Sequence, residues 1–218
     1  MDKRGKFITI EGVEGSGKTT QSALLCDYLS TRGIKVVKTR EPGGTQVGEK
    51  IREILLSPTN CAITATSELL LFLAARAQQV AEVIVPALEN GKWVVCDRFC
   101  DATLAYQAHA RGIESEAVGR LNEIATEGLK PDLTILLDLD VETGIRRAVA
   151  AKREFTESEN GDRMEKENGE FHGRVRQGYL QLAKREPGRI KVIPVTGSIE
   201  DVHETIVSLV EPFLIKAK

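Results

Sequence analysis

The amino-acid sequence predicts a three-layer α/β fold in which a five-stranded parallel sheet is flanked by helices. Short runs rich in β-branched residues alternate with helical stretches, and these runs read as largely continuous apolar segments rather than as an alternation of apolar and polar residues. Strands of that kind are buried on both faces, and parallel strands need helical crossovers between them. The predicted strands span residues 6–11, 35–38, 93–97, 133–138 and 190–195.

Helical periodicity predicts the connecting elements, which end at turn-forming residues such as Gly33 and Gly91. Residues 154–173 break this pattern because they carry many charges, three glycines and few aliphatic side chains, so we predict a mobile surface loop in their first half. The chain has no linker or repeat, and residues 1–218 are predicted to form a single domain. The predicted helices span residues 19–31, 67–89, 116–127, 141–151, 165–184 and 199–214.

Charge and composition restrict the possible partners. The 30 basic and 32 acidic side chains give a net charge of −2, which leaves no chain-wide field for a nucleic-acid polymer. The longest apolar run, residues 69–75, is far shorter than the roughly 18 residues that span a bilayer, and residues 7–10 are too few for a signal-peptide core. The four cysteines show neither a disulfide framework nor a metal-binding spacing. We therefore expect a cytoplasmic protein with no membrane partner.

A phosphate-binding loop follows the first predicted strand. Residues 12–19 read Gly-Val-Glu-Gly-Ser-Gly-Lys-Thr, which fits GxxxxGK[ST] between a strand and a helix, the context that this motif requires. Glycines let the backbone wrap an anion, Lys18 supplies a charge, and the Thr19 hydroxyl can ligate Mg²⁺. The loop therefore predicts a P-loop NTPase fold and a nucleoside triphosphate site, the alternative being a glycine-rich turn with no ligand. The predicted ATP ligands are Gly12, Val13, Glu14, Gly15, Ser16, Gly17, Lys18, Thr19 and Thr20.

Further motifs resemble those of the thymidylate kinase family. A P-loop alone is compatible with GTPases, motor-type ATPases and small-molecule kinases, although the Asn-Lys-x-Asp string of guanine specificity is absent. Arg-Glu-Pro-Gly-Gly-Thr at 40–45, Asp-Arg-Phe at 97–99, Tyr-Gln at 106–107 and Lys-Pro-Asp-Leu-Thr at 130–134 occur in the family's order. The resemblance covers nearly the whole chain. It implies phosphorylation of dTMP to dTDP for dTTP biosynthesis, with ATP as donor, Mg²⁺ as cofactor and a homodimeric assembly.

The acceptor phosphate and sugar are assigned to three residues. Arg40 follows the second strand, at the edge where open α/β sheets bind ligands, and its planar guanidinium suits a phosphate monoester. The alternative is a solvated surface arginine. The resemblance implies that Arg40 holds the acceptor phosphate, that Glu14 faces the sugar 3′-hydroxyl, and that Tyr106 lies where a ribose 2′-hydroxyl would clash. Tyr106 could otherwise be a half-buried aromatic side chain.

The acceptor base is assigned to two helical residues and two that follow the third strand. Phe72 and Arg76 are four residues apart, so they share one helix face. Spacing alone favours a core phenylalanine with an arginine that extends out of an apolar helix. The resemblance implies instead that Phe72 stacks on thymine, that Arg76 bonds a base carbonyl, and that Thr103 and Gln107 line the same base.

Asp97 and Arg98 end the third strand beside the P-loop. The aspartate occupies the position of a Walker-B acid, which acts on Mg²⁺ directly or through water, so Thr19 and Asp97 are the predicted metal ligands. Arg98 is predicted to bridge the donor and acceptor phosphates. The alternative for both residues is a strand-end ion pair.

The charged segment after the fourth strand matches the family's lid, at approximately residues 148–165. Arginines in a mobile loop can close over ATP and offset charge in the transition state. The P-loop has no basic residue besides Lys18, so Arg153 is the predicted catalytic finger, with Arg163 as an alternative and Arg147 near the adenine.

No general base is expected, because the second pKa of a phosphate monoester is near 6 and the acceptor is already dianionic at neutral pH. Catalysis is therefore predicted to depend on in-line positioning and on charge compensation by Lys18, Arg98, Mg²⁺ and the lid. Ala102 and Gly169 depart from the usual serine and phenylalanine of the family, for which we expect altered affinity rather than lost activity. The remaining alternatives are a kinase of another nucleoside monophosphate and a nucleotide-binding regulatory module without turnover.

Overall fold

The central sheet has five parallel strands in the order β2-β3-β1-β4-β5. The computed structural model describes residues 4–155 and 162–215, and all of their side chains except those of 151–155 and 215. The predicted fold class is confirmed, and each predicted strand lies within two residues of the observed one. The strands are β1 (Phe7–Gly12), β2 (Val36–Arg40), β3 (Trp93–Asp97), β4 (Leu133–Asp138) and β5 (Ile190–Pro194).

Strand register brings the predicted site residues to one edge of the sheet. Asp97, at the end of β3, pairs with Ile10 on one side and with Arg40 on the other, and Gly12 pairs with Leu137 of β4. All of these pairings are parallel, so the carboxyl ends of the strands meet at the same edge. The P-loop and the loops after β2 and β3 therefore open into one crevice.

Helices cover both faces of the sheet. Leu25 of α1 and Ile206 of α9 pack with Ile8 on one face, while Ile84 and Val94 belong to a second cluster on the opposite face. The helices are α1 (Lys18–Thr31), α2 (Gln46–Leu56), α3 (Ala65–Gln79), α4 (Val85–Glu89), α5 (Cys100–Thr103), α6 (Ser115–Thr126), α7 (Val141–Phe155), α8 (Gly169–Arg185) and α9 (Ile199–Ile215). Two π-helical segments, Val80–Ile84 and Leu104–Ala110, continue α3 into α4 and extend α5.

Two helical stretches lie where none was predicted. Thr45 is the N-cap of helix α2, and its hydroxyl accepts a hydrogen bond from the Gly48 amide at 2.9 Å. A threonine N-cap is a signal that the sequence alone can show. The stretch from α5 to Ala110 is half π-helical, so its side chains do not repeat every 3.6 residues and the usual periodicity is weakened.

The predicted helix over residues 165–184 starts too early. Helix α8 begins at Gly169, where the Asn168 side chain accepts from the Phe171 amide at 2.9 Å. Before it, the Asp162 carboxylate accepts from the Met164 and Glu165 amides and closes a turn. Asparagine and aspartate favour such caps and turns over helix interiors, which explains the later start. Residues 156–161, at the centre of the predicted mobile loop, lie outside the described residues.

The helical run Ala65–Glu89 is long and apolar enough to cross a membrane by length and composition, with a mean hydropathy of 1.4 over an 18-residue window. It packs against α2 and α6, and it carries the buried polar side chains Glu68, Arg76 and Gln79. One such helix in a folded domain is weak evidence for a membrane span.

Candidate functional site

The P-loop has the closely packed geometry of an anion-binding turn. Gly12 has φ of 147°, and a Cβ there would lie 2.5 Å from the Leu137 carbonyl oxygen, so a larger residue does not fit. The Lys18 ammonium donates to the Val13 carbonyl at 2.8 Å. Burial of the ammonium lowers the pKa of Lys18, and the positive charge of the neighbouring Arg98 lowers it further. The loop thus presents a positive group and the start of α1 to the same space.

Thr19 and Asp97, the predicted metal ligands, are adjacent. The Thr19 hydroxyl donates to Asp97 Oδ2 at 2.7 Å. A hydroxyl and a carboxylate are hard oxygen ligands, as Mg²⁺ prefers, and the ion commonly retains waters and phosphate oxygens as its other ligands. Among the described residues no cluster of three or more His, Cys, Asp or Glu side chains could form a cage of protein ligands. The donor set therefore fits Mg²⁺ bound together with a nucleotide.

Arg98 is held in place through its backbone and its side chain. Its φ of 69° lies in the left-handed region, and the next amide, that of Phe99, donates to the buried Glu11 carboxyl at 2.7 Å. The Tyr179 hydroxyl donates to the other Glu11 oxygen at 2.7 Å and accepts from Arg98 Nη1 at 3.2 Å. Burial, with the nearby Asp101 charge, raises the pKa of Glu11 to about 8. None of this support was predicted, because Tyr179 comes from the distant helix α8.

Glu14 faces Arg98 rather than the solvent. Its carboxylate pairs with Arg98 Nη2 at 2.5 Å and accepts from the Tyr106 hydroxyl at 3.2 Å. Burial raises the pKa of Glu14, but Arg98 and Lys18 outweigh it and bring the pKa to about 2. Glu14 is therefore an ionised acceptor, the state that a hydroxyl ligand such as a sugar 3′-hydroxyl requires.

A concave cleft lined by both apolar and charged side chains lies beside this group. It brings together all of the predicted acceptor residues except Arg40. A half-buried Phe72 forms part of its wall, as a stacking platform should. The predicted residues that line it are Glu14, Phe72, Arg76, Arg98, Thr103, Tyr106 and Gln107.

Arg76 is buried in the wall of this cleft, with 1% of its surface exposed. Its guanidinium donates five hydrogen bonds: two to Glu41 Oε2, at 2.8 and 2.5 Å, and one each to Thr103, Asn122 and the Phe99 carbonyl. A guanidinium has five N–H donors. The predicted bond to a base carbonyl would therefore have to share or replace one of these contacts.

Arg40 does not line the acceptor cleft. Its side chain is 54% exposed and pairs with Glu49 of α2 at 3.0 Å. It faces a neighbouring cleft that is also lined by Lys18, Thr19 and Asp97. This position, in the P-loop cleft and outside the acceptor cleft, fits either a solvated surface arginine or a phosphate ligand.

The two clefts meet at a shared set of charged residues. One of these shared residues, Arg52 of helix α2, was not predicted from the sequence. Its guanidinium donates to the Pro42 carbonyl at 2.9 Å. Its position was missed because α2 itself was missed. The residues common to both clefts are Glu14, Glu41, Arg52, Arg98 and Asp162.

The predicted lid arginines have different environments. Arg147 lines the cleft of the P-loop, as predicted for a residue near the nucleotide, whereas the Arg153 side chain lies outside the described residues. Arg163 is 9% exposed, pairs with Glu68 at 2.6 Å and donates to the Leu55 carbonyl at 2.9 Å. A role as a mobile finger would require Arg163 to break these contacts, so the structure favours Arg153 over Arg163 for that role.

Ala102 and Gly169, which depart from the family pattern, lie in different environments. Ala102 lines the acceptor cleft, so the missing hydroxyl changes the chemistry of that surface. A Cβ at Gly169 would contact nothing within 4 Å, so only the first turn of α8 is affected.

Comparison with known proteins gives a consistent result. The family model described as thymidylate kinase matches residues 10–206. The thymidylate kinase of Pelobacter propionicus is 51% identical over 206 residues, which is 94% of each chain, and that of Syntrophotalea carbinolica is 52% identical over 200 residues, 92% of each chain. A crystal structure of thymidylate kinase from Ehrlichia chaffeensis has a TM-score of 0.76 and 37% identity, and the match covers 95% of this chain and 99% of that one.

Proposed function

Because the chain belongs to the thymidylate kinase family, we propose that it transfers the terminal phosphoryl group of ATP to dTMP with the help of Mg²⁺. The observation that carries this proposal is the junction of the two clefts, where Arg98 and Glu14 line both. A donor nucleotide in one cleft and a monophosphate in the other would place their phosphates on either side of the Arg98 guanidinium. The product, dTDP, is a precursor of dTTP.

The chain's own groups supply charge and position. Lys18 and the P-loop amides hold the donor phosphates, Thr19 and Asp97 hold Mg²⁺, and Arg98 contacts the phosphates on both sides of the reaction. Bound Mg²⁺ would neutralise charge on the donor phosphates. The dianionic acceptor needs no general base. The lid, residues 148–165, belongs to a single kinase domain. We propose that Arg153 of this lid contacts the transferring phosphoryl group as an arginine finger.

The acceptor cleft is proposed to bind the nucleoside in three parts. Phe72 stacks on the base, and Thr103 and Gln107 lie at its edge. Glu14 accepts from the 3′-hydroxyl, and the Tyr106 hydroxyl donates to Glu14 at 3.2 Å, so the aromatic ring is fixed against the sugar. Arg52, which lines both clefts, and Arg40, which lines the P-loop cleft, are proposed to hold the acceptor phosphate, and Arg52 is an addition to the prediction.

The proposal is tested by incubating the purified protein with MgATP and dTMP, AMP, UMP or dCMP. We expect dTMP to have the highest kcat/KM, because the cleft offers a stacking surface and polar groups suited to a pyrimidine deoxynucleotide. A mock purification from cells without the expression plasmid controls for other kinases. Preference for another monophosphate would identify a different nucleoside monophosphate kinase. ATP binding with no transfer to any acceptor would identify a regulatory module.

A homodimer is proposed to form through helices α3 and α6. These helices pack against each other and leave Leu70 and Ile124 with 52% and 75% of their surface exposed. The resemblance indicates that a second copy of the chain would cover these side chains.

We expect light scattering after size-exclusion chromatography to give about twice the chain mass of 23.9 kDa. The Leu70→Glu and Ile124→Glu double variant should shift the protein to the monomer. Val192→Glu is the matched control, since Val192 is 41% exposed on the edge strand β5. A wild-type mass near that of one chain would contradict the dimer.

The four cysteines are free in the structure, which is consistent with a reducing compartment. We therefore place this activity in the cytoplasm.

A further inference from the structure

We propose that Glu68 is a positioning residue that makes the acceptor site select thymine over 5-methylcytosine, by fixing which end of the Gln107 amide faces the base. The proposal rests on the proposed function, since it needs a pyrimidine nucleotide in the acceptor cleft. Glu68 itself does not line that cleft, and only 1% of its surface is exposed. It acts through Gln107, which lines the cleft.

The base-reading groups of the cleft are limited by the Arg76 network. All five Arg76 donors are engaged with protein acceptors, so this side chain has no spare N–H group to read a base without breaking a contact. Gln107 is different. In the described part of the chain its Nε2 makes one hydrogen bond, to Glu68 Oε1 at 2.9 Å, and its Oε1 accepts none. One N–H and one carbonyl oxygen of the same amide therefore remain for a ligand.

Among the described residues, every hydrogen-bond and ion-pair partner of the Glu68 carboxylate is a donor. Besides Gln107, it accepts from Arg111 Nε at 3.1 Å and Nη2 at 3.0 Å, and it pairs with Arg163 Nη1 at 2.6 Å. Burial raises the pKa of Glu68, but the hydrogen bonds from Arg111, Gln107 and Arg163 outweigh it, so the pKa is lowered and the group stays ionised. An ionised carboxylate can only accept hydrogen bonds.

This carboxylate fixes the amide of Gln107. If the amide were turned by 180°, its carbonyl oxygen would face Glu68 and leave two buried acceptors opposed, with no proton between them. The Nε2 group must therefore face Glu68, and the relative positions of the remaining N–H and of Oε1 follow. The two arginines also hold Glu68 in one position, so the whole arrangement is set before a ligand binds.

The fixed amide complements one pyrimidine edge. Thymine presents an N3–H donor beside a 4-carbonyl acceptor, which match a Gln107 Oε1 acceptor and an Nε2–H donor. Cytosine presents an unprotonated N3 beside a 4-amino group, so an acceptor meets an acceptor and a donor meets a donor. Only a turned amide would suit cytosine, and Glu68 opposes that turn. Selectivity of this kind is produced by the unfavourable pairing as much as by the favourable one.

The test compares dTMP with 5-methyl-dCMP, which differs from it only at N3 and at the 4-position. Glu68→Gln puts an amide behind Gln107 that can donate as well as accept, so the Gln107 amide is free to turn. We expect the ratio of kcat/KM for dTMP to that for 5-methyl-dCMP to fall by about tenfold or more, mainly through the acceptor KM. The KM for ATP should stay within about twofold, a split that general loss of structure would not produce.

Glu167→Gln is the matched control. Glu167 pairs with Arg111 at 2.7 Å, so this variant also removes a carboxylate from Arg111 but leaves the bond between Glu68 and Gln107 intact. Its substrate ratio should equal that of the wild type. If Glu68→Gln fails to fold, Gln107→Leu, which leaves the ion pairs of Glu68 in place, should reduce the ratio to a similar extent.

The outcomes separate the inference from the proposed function. A wild-type protein that does not phosphorylate dTMP overturns the proposed function. A wild-type protein that phosphorylates dTMP, with an unchanged ratio in Glu68→Gln or in Gln107→Leu, overturns the role of Glu68 alone. A reduced ratio in Glu167→Gln as well would assign the effect to the Arg111 contacts instead.

Discussion

Replacing Arg98 with alanine is expected to lower kcat for dTMP by about 10²–10³-fold, with smaller changes in the KM for either substrate. Arg98 lines both clefts, so its guanidinium lies between the proposed donor and acceptor sites. A charge that is positioned before the reaction stabilises the transition state more than the bound substrates, and its loss therefore appears mainly in kcat. Steady-state kinetics with dTMP and MgATP measure the effect.

The hydrogen bonds that hold the backbone beside Arg98 do not depend on its side chain, so Arg98→Ala tests the guanidinium alone. The Phe99 amide is held by Glu11, so the backbone after residue 98 keeps its anchor when the side chain is shortened. Arg98→Lys should give an intermediate kcat, because it keeps the charge but loses the bond geometry of the guanidinium. Arg120→Ala is the control, since Arg120 is 70% exposed and pairs only with Glu116 among the described residues. A kcat for Arg98→Ala within about threefold of the wild type would exclude the proposed role.

Arg76→Ala is expected to reduce the free energy of unfolding by about 3–5 kcal/mol. The substitution leaves the Glu41 carboxylate buried without its ion-pair partner. It also removes the N–H groups that donate to Thr103 Oγ1 and Asn122 Oδ1. Burial already raises the pKa of Glu41 against the Arg76 charge, so without Arg76 the carboxyl must protonate or draw in water. Urea denaturation at neutral pH measures the change.

Arg40→Ala is the matched control for this prediction. Arg40 also pairs with a glutamate, but at 54% exposure, and such pairs contribute about 0–1 kcal/mol. The double variant Arg76→Ala, Glu41→Gln should recover part of the loss, because the uncompensated charge is gone. A loss for Arg76→Ala below about 1 kcal/mol would show that Arg76 does not stabilise the fold in this way. In the protein that remains folded, the KM for dTMP should rise more than that for ATP, since Arg76 and its partner Thr103 both line the acceptor cleft.

Elements with strong local signals were predictable. The strands β1, β3 and β4 are nearly continuous, buried apolar runs, and the P-loop combines a fixed spacing of glycines with a strand and a helix, so each can be recognised from a few residues. Helix α2 also has a local signal, the N-cap Thr45, and its omission removed Arg52 from the predicted site. The π-helical stretch Leu104–Ala110 has no such regular signal, although it carries Tyr106 and Gln107.

The sequence by itself determined the fold class, the nucleotide loop and the chemical types of most cleft residues, because these depend on short patterns of neighbouring residues. Only the tertiary structure decided which charges neutralise each other. Arg76 is 35 residues from Glu41, Tyr179 is 168 from Glu11, and Glu68 pairs with Arg163 from a distant turn. Electrostatic and hydrogen-bond energies depend on distance in space and on burial, and neither is encoded by separation along the chain. The fold therefore pairs Arg163 with Glu68, and it identified Glu68 as the partner of Gln107 through which we propose that the base is selected.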